Sequence, residues 1–163
     1  MTEPTGDAEE RRLPAGAPAA PVPDEIVAPL QHALLAAVLG RRPLPGSERP
    51  LMLPDLQFVL QGDAVVLADE NLALQSPPAD LPRAVVVLGA DELRDRAQSE
   101  GSVAHLRFQP AEREGDSIRV TLEARIASAD PGQGVLGLSG VQAKFVEIGG
   151  RWELAEEPAF FAA

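Results

Sequence analysis

The stretch GQGVLG carries the spacing G-x-G-x-x-G at Gly132, Gly134 and Gly137. In a dinucleotide-binding loop such glycines let the backbone approach a pyrophosphate, which then sits on the N-terminus of the following helix. That chemistry needs a strand before the loop, a helix opening within it and a parallel strand after it. A strand is expected before it, at 118–126. A helix after it would have to contain Gly137 and Gly140, each costing about 1 kcal/mol relative to alanine. The following residues, VQAKFVEI, alternate with period two, and Asp130-Pro131-Gly132 has turn chemistry. The segment is therefore expected to be a loop, flexible over 129–134, that leads into a bent strand starting near Val135. No cofactor is implied.

The chain has no cysteine and no tyrosine, which excludes disulfides, thiolate nucleophiles, sulfur-based zinc sites and phenolic acids. Its two histidines, His32 and His105, fall on a helix flank and on the outer face of a strand, without H-x-x-x-H or H-x-E spacing. No metal site is implied. The adjacent carboxylates Asp69-Glu70 and Glu156-Glu157 would point to opposite faces of a strand, whereas a working acid/base pair must converge. Neither G-x-S-x-G nor G-x-x-x-x-G-K is present.

Two constellations remain. VQAKFVEI-GG-RWELA reads as a hairpin turned by Gly149-Gly150. A two-residue loop sets Glu147 opposite Trp152 and Phe145 opposite Leu154 on the core face. Phe108, Phe145, Glu147 and Trp152 could then line an apolar pocket, with Glu147 as a base shielded from water. The alternative is that Glu147, at a strand end, reaches solvent. The second constellation is cationic. Arg107, Arg119, Arg125, Lys144 and Arg151 all fall on the outer sheet face, against Glu123 and Glu153. In a chain of net charge −11 this is a local reversal, suited to an acidic protein partner, to the chain's own acidic tail or to a homodimer contact. An ordinary charged surface is the alternative.

The elements that must position these groups follow from periodicity. Residues 1–23 carry five prolines and no apolar period, and are expected to be a disordered tail. A helix is expected from near Pro29 to Leu39, with Leu30, Leu34, Ala37 and Val38 on its buried face and Gly40 as a left-handed cap. LQFVL (56–60) and AVVLA (64–68) read as strands of a hairpin through Gln61-Gly62-Asp63. AVVVL (84–88) reads as a buried strand, and DELRDRAQ (91–98) as a short helix offering Leu93 and Ala97. VAHLRF points Ala104, Leu106 and Phe108 inward. IRVTLEARI alternates without error, with Ile118, Val120, Leu122, Ala124 and Ile126 inward, as in a half-buried antiparallel strand.

With 163 residues the chain is expected to make one α+β domain, 24–163, in which a curved antiparallel sheet packs on one principal helix and one short helix. The acidic balance argues against nucleic acid and anionic membranes. The N-terminus lacks a signal-like pattern, so a cytoplasmic location is expected. The order of Leu93, Leu106-Arg107-Phe108, Gly115-Asp116, Gly150 and Trp152 resembles small uncharacterised bacterial proteins and, more loosely, the ketosteroid-isomerase-like and cystatin-like folds. The isomerase-like resemblance implies a curved sheet wrapped on helices around an apolar pocket, although its tyrosine has no counterpart here. The reading is a binding or self-associating module without assigned catalysis. The alternative is an isomerase-like enzyme or carrier for a small apolar ligand near Glu147 and Trp152.

Overall fold

The computed structural model describes residues 21–76, 79–130, 132 and 135–162. The tail expected at 1–23 thus lies outside the described residues up to residue 20.

Helix α1 spans Asp24–Gly40 and begins five residues before the expected Pro29. Asp24 and Glu25 favour the positive end of the helix dipole, and the Pro23 carbonyl accepts from the N–H groups of Ile26 (2.9 Å) and Val27 (3.1 Å). Pro29 sits inside the helix and removes one internal hydrogen bond. Burial of Val27 and Leu30 on either side of it offsets that loss. The left-handed cap also differs from expectation, since Arg41 adopts it (φ 52°, ψ 48°) rather than Gly40. Gly40 is needed for close approach: a Cβ there would lie 2.8 Å from Arg42 Nε and 2.9 Å from Pro82 Cγ.

The LQFVL segment is not a strand. It forms a single helical turn, α2 (Leu56–Val59). Pro54 and Asp55 start the turn, and Leu56 and Val59, three residues apart, are the pair it buries, while Phe58 remains exposed. Period three, not two, decides the segment. The expected hairpin therefore does not form.

Strand β1 (Val65–Ala68) instead pairs in parallel with β2 (Val85–Leu88) on one side and with β3 (Val103–Phe108) on the other. Helix α3 (Ala90–Glu100) links β2 to β3. The remaining strands are antiparallel: β4 (Glu112–Glu114), β5 (Ser117–Ala127), β6 (Val135–Ile148), β7 (Arg151–Leu154) and β8 (Ala159–Ala162). The path is β2-β1-β3-β5-β6-β7, with β4 on β5, and with β8 taking up the β6 edge where β7 leaves it. The architecture is α+β, as expected, with a mixed sheet curled into a half-barrel.

Two apolar layers flank this sheet. Leu30, Leu34, Leu35 and Val38 of α1 share the main core with Leu106, Phe108, Ile118, Val120, Leu122, Ala124, Val141 and Phe145. On the opposite face, Leu93 and Ala97 of α3 cover Val66, Ala68, Val103 and Ala127. The expected outer face is also corrected. His105, Thr121 and Glu123 point away from the main core, yet all three are buried.

The β6–β7 hairpin has the expected register, with Phe145 opposite Leu154 and Glu147 opposite Trp152. Its turn is closed by Gly149 (φ 59°) and Gly150 (φ 82°), both in the positive region that a tight hairpin turn requires.

Candidate functional site

Strands β1 and β2 run in parallel, and their connections diverge. After Ala68 the chain crosses to the α1 side, whereas after Leu88 it enters α3 on the other face. Neighbouring parallel strands whose connections part in this way leave a crevice beyond their carboxyl ends. Here the crevice is a cleft of about 550 Å³, open on one side. Its apolar lining is Ala68, Ala90, Leu93, Ala127 and Val135, and its polar lining includes Asp69, Glu70, Arg94, His105, Arg107, Arg125 and Asp130.

The position of the Asp69-Glu70 wall is fixed from behind. Asn71 adopts a left-handed backbone (φ 60°), and its side-chain amide donates to the Phe108 carbonyl at 3.0 Å. Gln31, fully buried on α1, donates to the Asn71 carbonyl (3.0 Å) and accepts from the Ala73 N–H (2.8 Å). One glutamine thereby ties the loop after β1 to the main helix. At the second wall, the Glu92 carboxylate accepts the Gly89 N–H at 2.9 Å and closes the start of α3 with its own anion.

The inner wall is formed by neighbouring strands. His105 lies opposite Arg125, and Arg107 opposite Glu123. His105 is 2% exposed. Its Nδ1 is 3.2 Å from the Val103 carbonyl, an acceptor, so Nδ1 carries the hydrogen and Nε2 is left with the lone pair. Burial holds the imidazole pKa below its usual 6.5. The hydrogen bond to Val103 opposes that shift, and the positive charge of Arg107 adds to it. His105 is therefore a neutral ring at neutral pH.

Glu123 stands between the two arginines, 3.6 Å from Arg107 Nη1 and 3.5 Å from Arg125 Nη1. These are charge contacts longer than ordinary hydrogen bonds. Glu70 reaches Arg107 Nε to 3.3 Å from the rim, but without hydrogen-bond alignment. The Nε atoms of Arg107 and Arg125 are both buried and lack an acceptor.

The residues singled out from sequence separate into different places. Phe108 and Phe145 are fully buried in the main core, Trp152 is half-buried, and Glu147 is exposed. They do not form a common pocket, and Glu147 is not shielded from water. Of the cationic group, Arg107 and Arg125 line the cleft. Arg119 pairs with Glu112 and Glu114, and Lys144 with Glu114 and Glu156. Arg151 is exposed at the hairpin end. The charge reversal is thus largely answered by carboxylates of the same chain.

Gly132 lies in a turn, its N–H held by Asp130 Oδ1 at 2.9 Å, and β6 begins at Val135 without a helix. Gln133 and Gly134 lie outside the described residues, as does Pro131. The register between β5 and β6 shifts at Ala124/Arg125, opposite Gly137 to Ser139, so the strand is irregular where its glycines fall. The nucleotide-loop context is absent among the described residues.

Sequence reasoning placed His105 and the arginines on an outward face, and missed the cleft. The signal it lacked was the parallel order of β1, β2 and β3, which brings α3 and the Asp69-Glu70 loop onto that face. Among the described residues no group of three or more His, Cys, Asp or Glu side chains is gathered as a metal site. No helix among them is long and apolar enough to cross a membrane. No protein-family model, curated protein or solved structure matches this chain.

Proposed function

We propose that the chain is a small-molecule binding module whose ligand occupies the cleft beyond β1 and β2. The observation that carries this reading is the convergence, in one cavity of about 550 Å³, of an apolar floor with a buried neutral histidine and the guanidinium groups of Arg107 and Arg125. Volumes of this order, with mostly apolar walls and a few fixed polar groups, suit small organic ligands. The cleft replaces the hairpin near Glu147 as the place for such a ligand.

The test is a fragment screen followed by amide NMR. Shifts are expected to cluster at residues 69–70, 90–94 and 125–128, and to vanish in Ala90→Trp, which fills the mouth from an exposed position. Hits scattered over the surface, or unaffected by Ala90→Trp, would refute the reading.

A second reading is catalytic, and His105 is the observation in its favour. A neutral imidazole with its Nε2 lone pair in a cavity can accept a proton from a bound molecule. Its test is whether a compound bound in the cleft is turned over by the native chain and not by His105→Gln. Binding without turnover leaves the module reading standing alone.

A further inference from the structure

From the donors on the inner wall we infer that the cleft takes a monocarboxylate with an apolar body, its carboxylate received by Arg125 and Arg107. This inference rests on the cleft being a ligand site. Two guanidinium groups there share one buried carboxylate, Glu123, whose side chain is 12% exposed. The other nearby anion on Arg107, Glu70, is at the rim with its side chain 62% exposed. Asp69 and Asp130, which also line the cleft, are exposed at its rim like Glu70, so the buried part of the wall sets two guanidinium groups against one carboxylate, which favours a ligand with a single negative charge.

Hydrogen bonding supports the same chemistry. The guanidinium groups of Arg107 and Arg125 meet Glu123 only at 3.6 and 3.5 Å, longer than ordinary hydrogen bonds, and their side chains are 21% and 20% exposed, so each keeps donor capacity for a bound group. A carboxylate offers two oxygens, enough for both, and planar guanidinium groups match that geometry better than they match a single neutral carbonyl. The start of α3 does not compete for the anion, because Glu92 already caps it and Asp91 pairs with Arg94 at 2.7 Å. Beyond the charged end, Ala68, Leu93 and Ala127 present hydrocarbon, so the rest of the ligand is apolar. Neutral His105 adds no further positive charge and can accept a hydrogen bond from a polar substituent.

The experiment compares two probes of nearly one shape, 4-methylbenzoate and 4-methylbenzamide, by amide and arginine Hε NMR on the full chain. The benzoate is expected to shift the Hε signals of Arg107 and Arg125 together with residues 69–70 and 127. It should bind at least about tenfold more tightly than the benzamide. Arg125→Gln should weaken the benzoate about tenfold while leaving the benzamide unchanged, with the amide spectrum reporting that the variant is folded. Equal binding of both probes within the cleft would overturn the carboxylate inference while leaving the cleft as a ligand site. Absence of cleft shifts from both probes and from the fragment screen would overturn the inference and the site together.

Discussion

Replacing Gln31 by leucine isolates the device that holds the cleft's outer wall. The substitution keeps the side chain's bulk on α1 and removes one donor and one acceptor. Two backbone groups lose their partners, the Asn71 carbonyl and the Ala73 N–H. A buried group left without a partner costs about 1–3 kcal/mol. Asn71 is exposed and Ala73 half-buried, so water relieves part of that cost and the low end of the range applies to each. The expected loss is about 2 kcal/mol, a large share of a small domain's stability. In urea, with a slope near 2 kcal/mol per M, the midpoint should fall by about 1 M.

The same substitution should act at a distance. Asn71 holds its loop against Phe108, so releasing one anchor loads the other. A double-mutant cycle of Gln31→Leu with Asn71→Ala should show coupling above about 0.5 kcal/mol, because both residues fix one loop. Amide signals of 69–73 should move, and probes in the cleft should bind more weakly. A stability loss under about 0.5 kcal/mol with unmoved 69–73 signals would refute the claim that Gln31 positions this wall.

Gly140 is a second point of strict fit: a Cβ there would overlap the ring of Phe161, its register partner on β8. Gly140→Ala should cost about 1–3 kcal/mol, with hydrogen-exchange protection lost first at 159–162, and Phe161→Ala in the same chain should recover part of the loss. Acid should destabilise the protein through His105. Its folded pKa lies below 6.5, so the unfolded chain binds the proton first, and stability falls as pH drops from 6.5 through the folded value. The slope from this one group is at most about 1.4 kcal/mol per pH unit, and urea titrations of His105→Gln should lack that component. Phe145→Ala should cost about 3–5 kcal/mol, and Trp152→Ala less, since Phe145 is fully buried and Trp152 only half so. Equal losses in thermal or urea unfolding would contradict that ordering.

Much of the fold is legible in local pattern. The alternation of Ile118, Val120, Leu122 and Ala124 sets which face of β5 meets α1, because a strand's side chains must alternate and only one set is apolar. Gly149-Gly150 fixes the β6–β7 register, because two consecutive positive φ values close a two-residue turn. Leu93 and Ala97 are the residues by which α3 is buried, as their spacing requires. The glycines after Asp130 lead into a strand, because period two in VQAKFVEI outweighs a motif that needs a helix.

Other features were decided only by tertiary structure. LQFVL is four apolar residues in five and satisfies either period; its burial against the core makes it a helical turn. The short runs VVLA and VVVL say strand but not direction, and their parallel pairing depends on where the intervening chain crosses. That crossing determines the cleft. It carries α3 over Val66, Ala68, Val103 and Ala127, beside His105 in the cleft, and it sets Glu70 beside Arg107. Residue types and spacing along β3 and β5 determined which side chains share a face; what covers that face, and hence their burial and charge balance, is a property of the whole sheet.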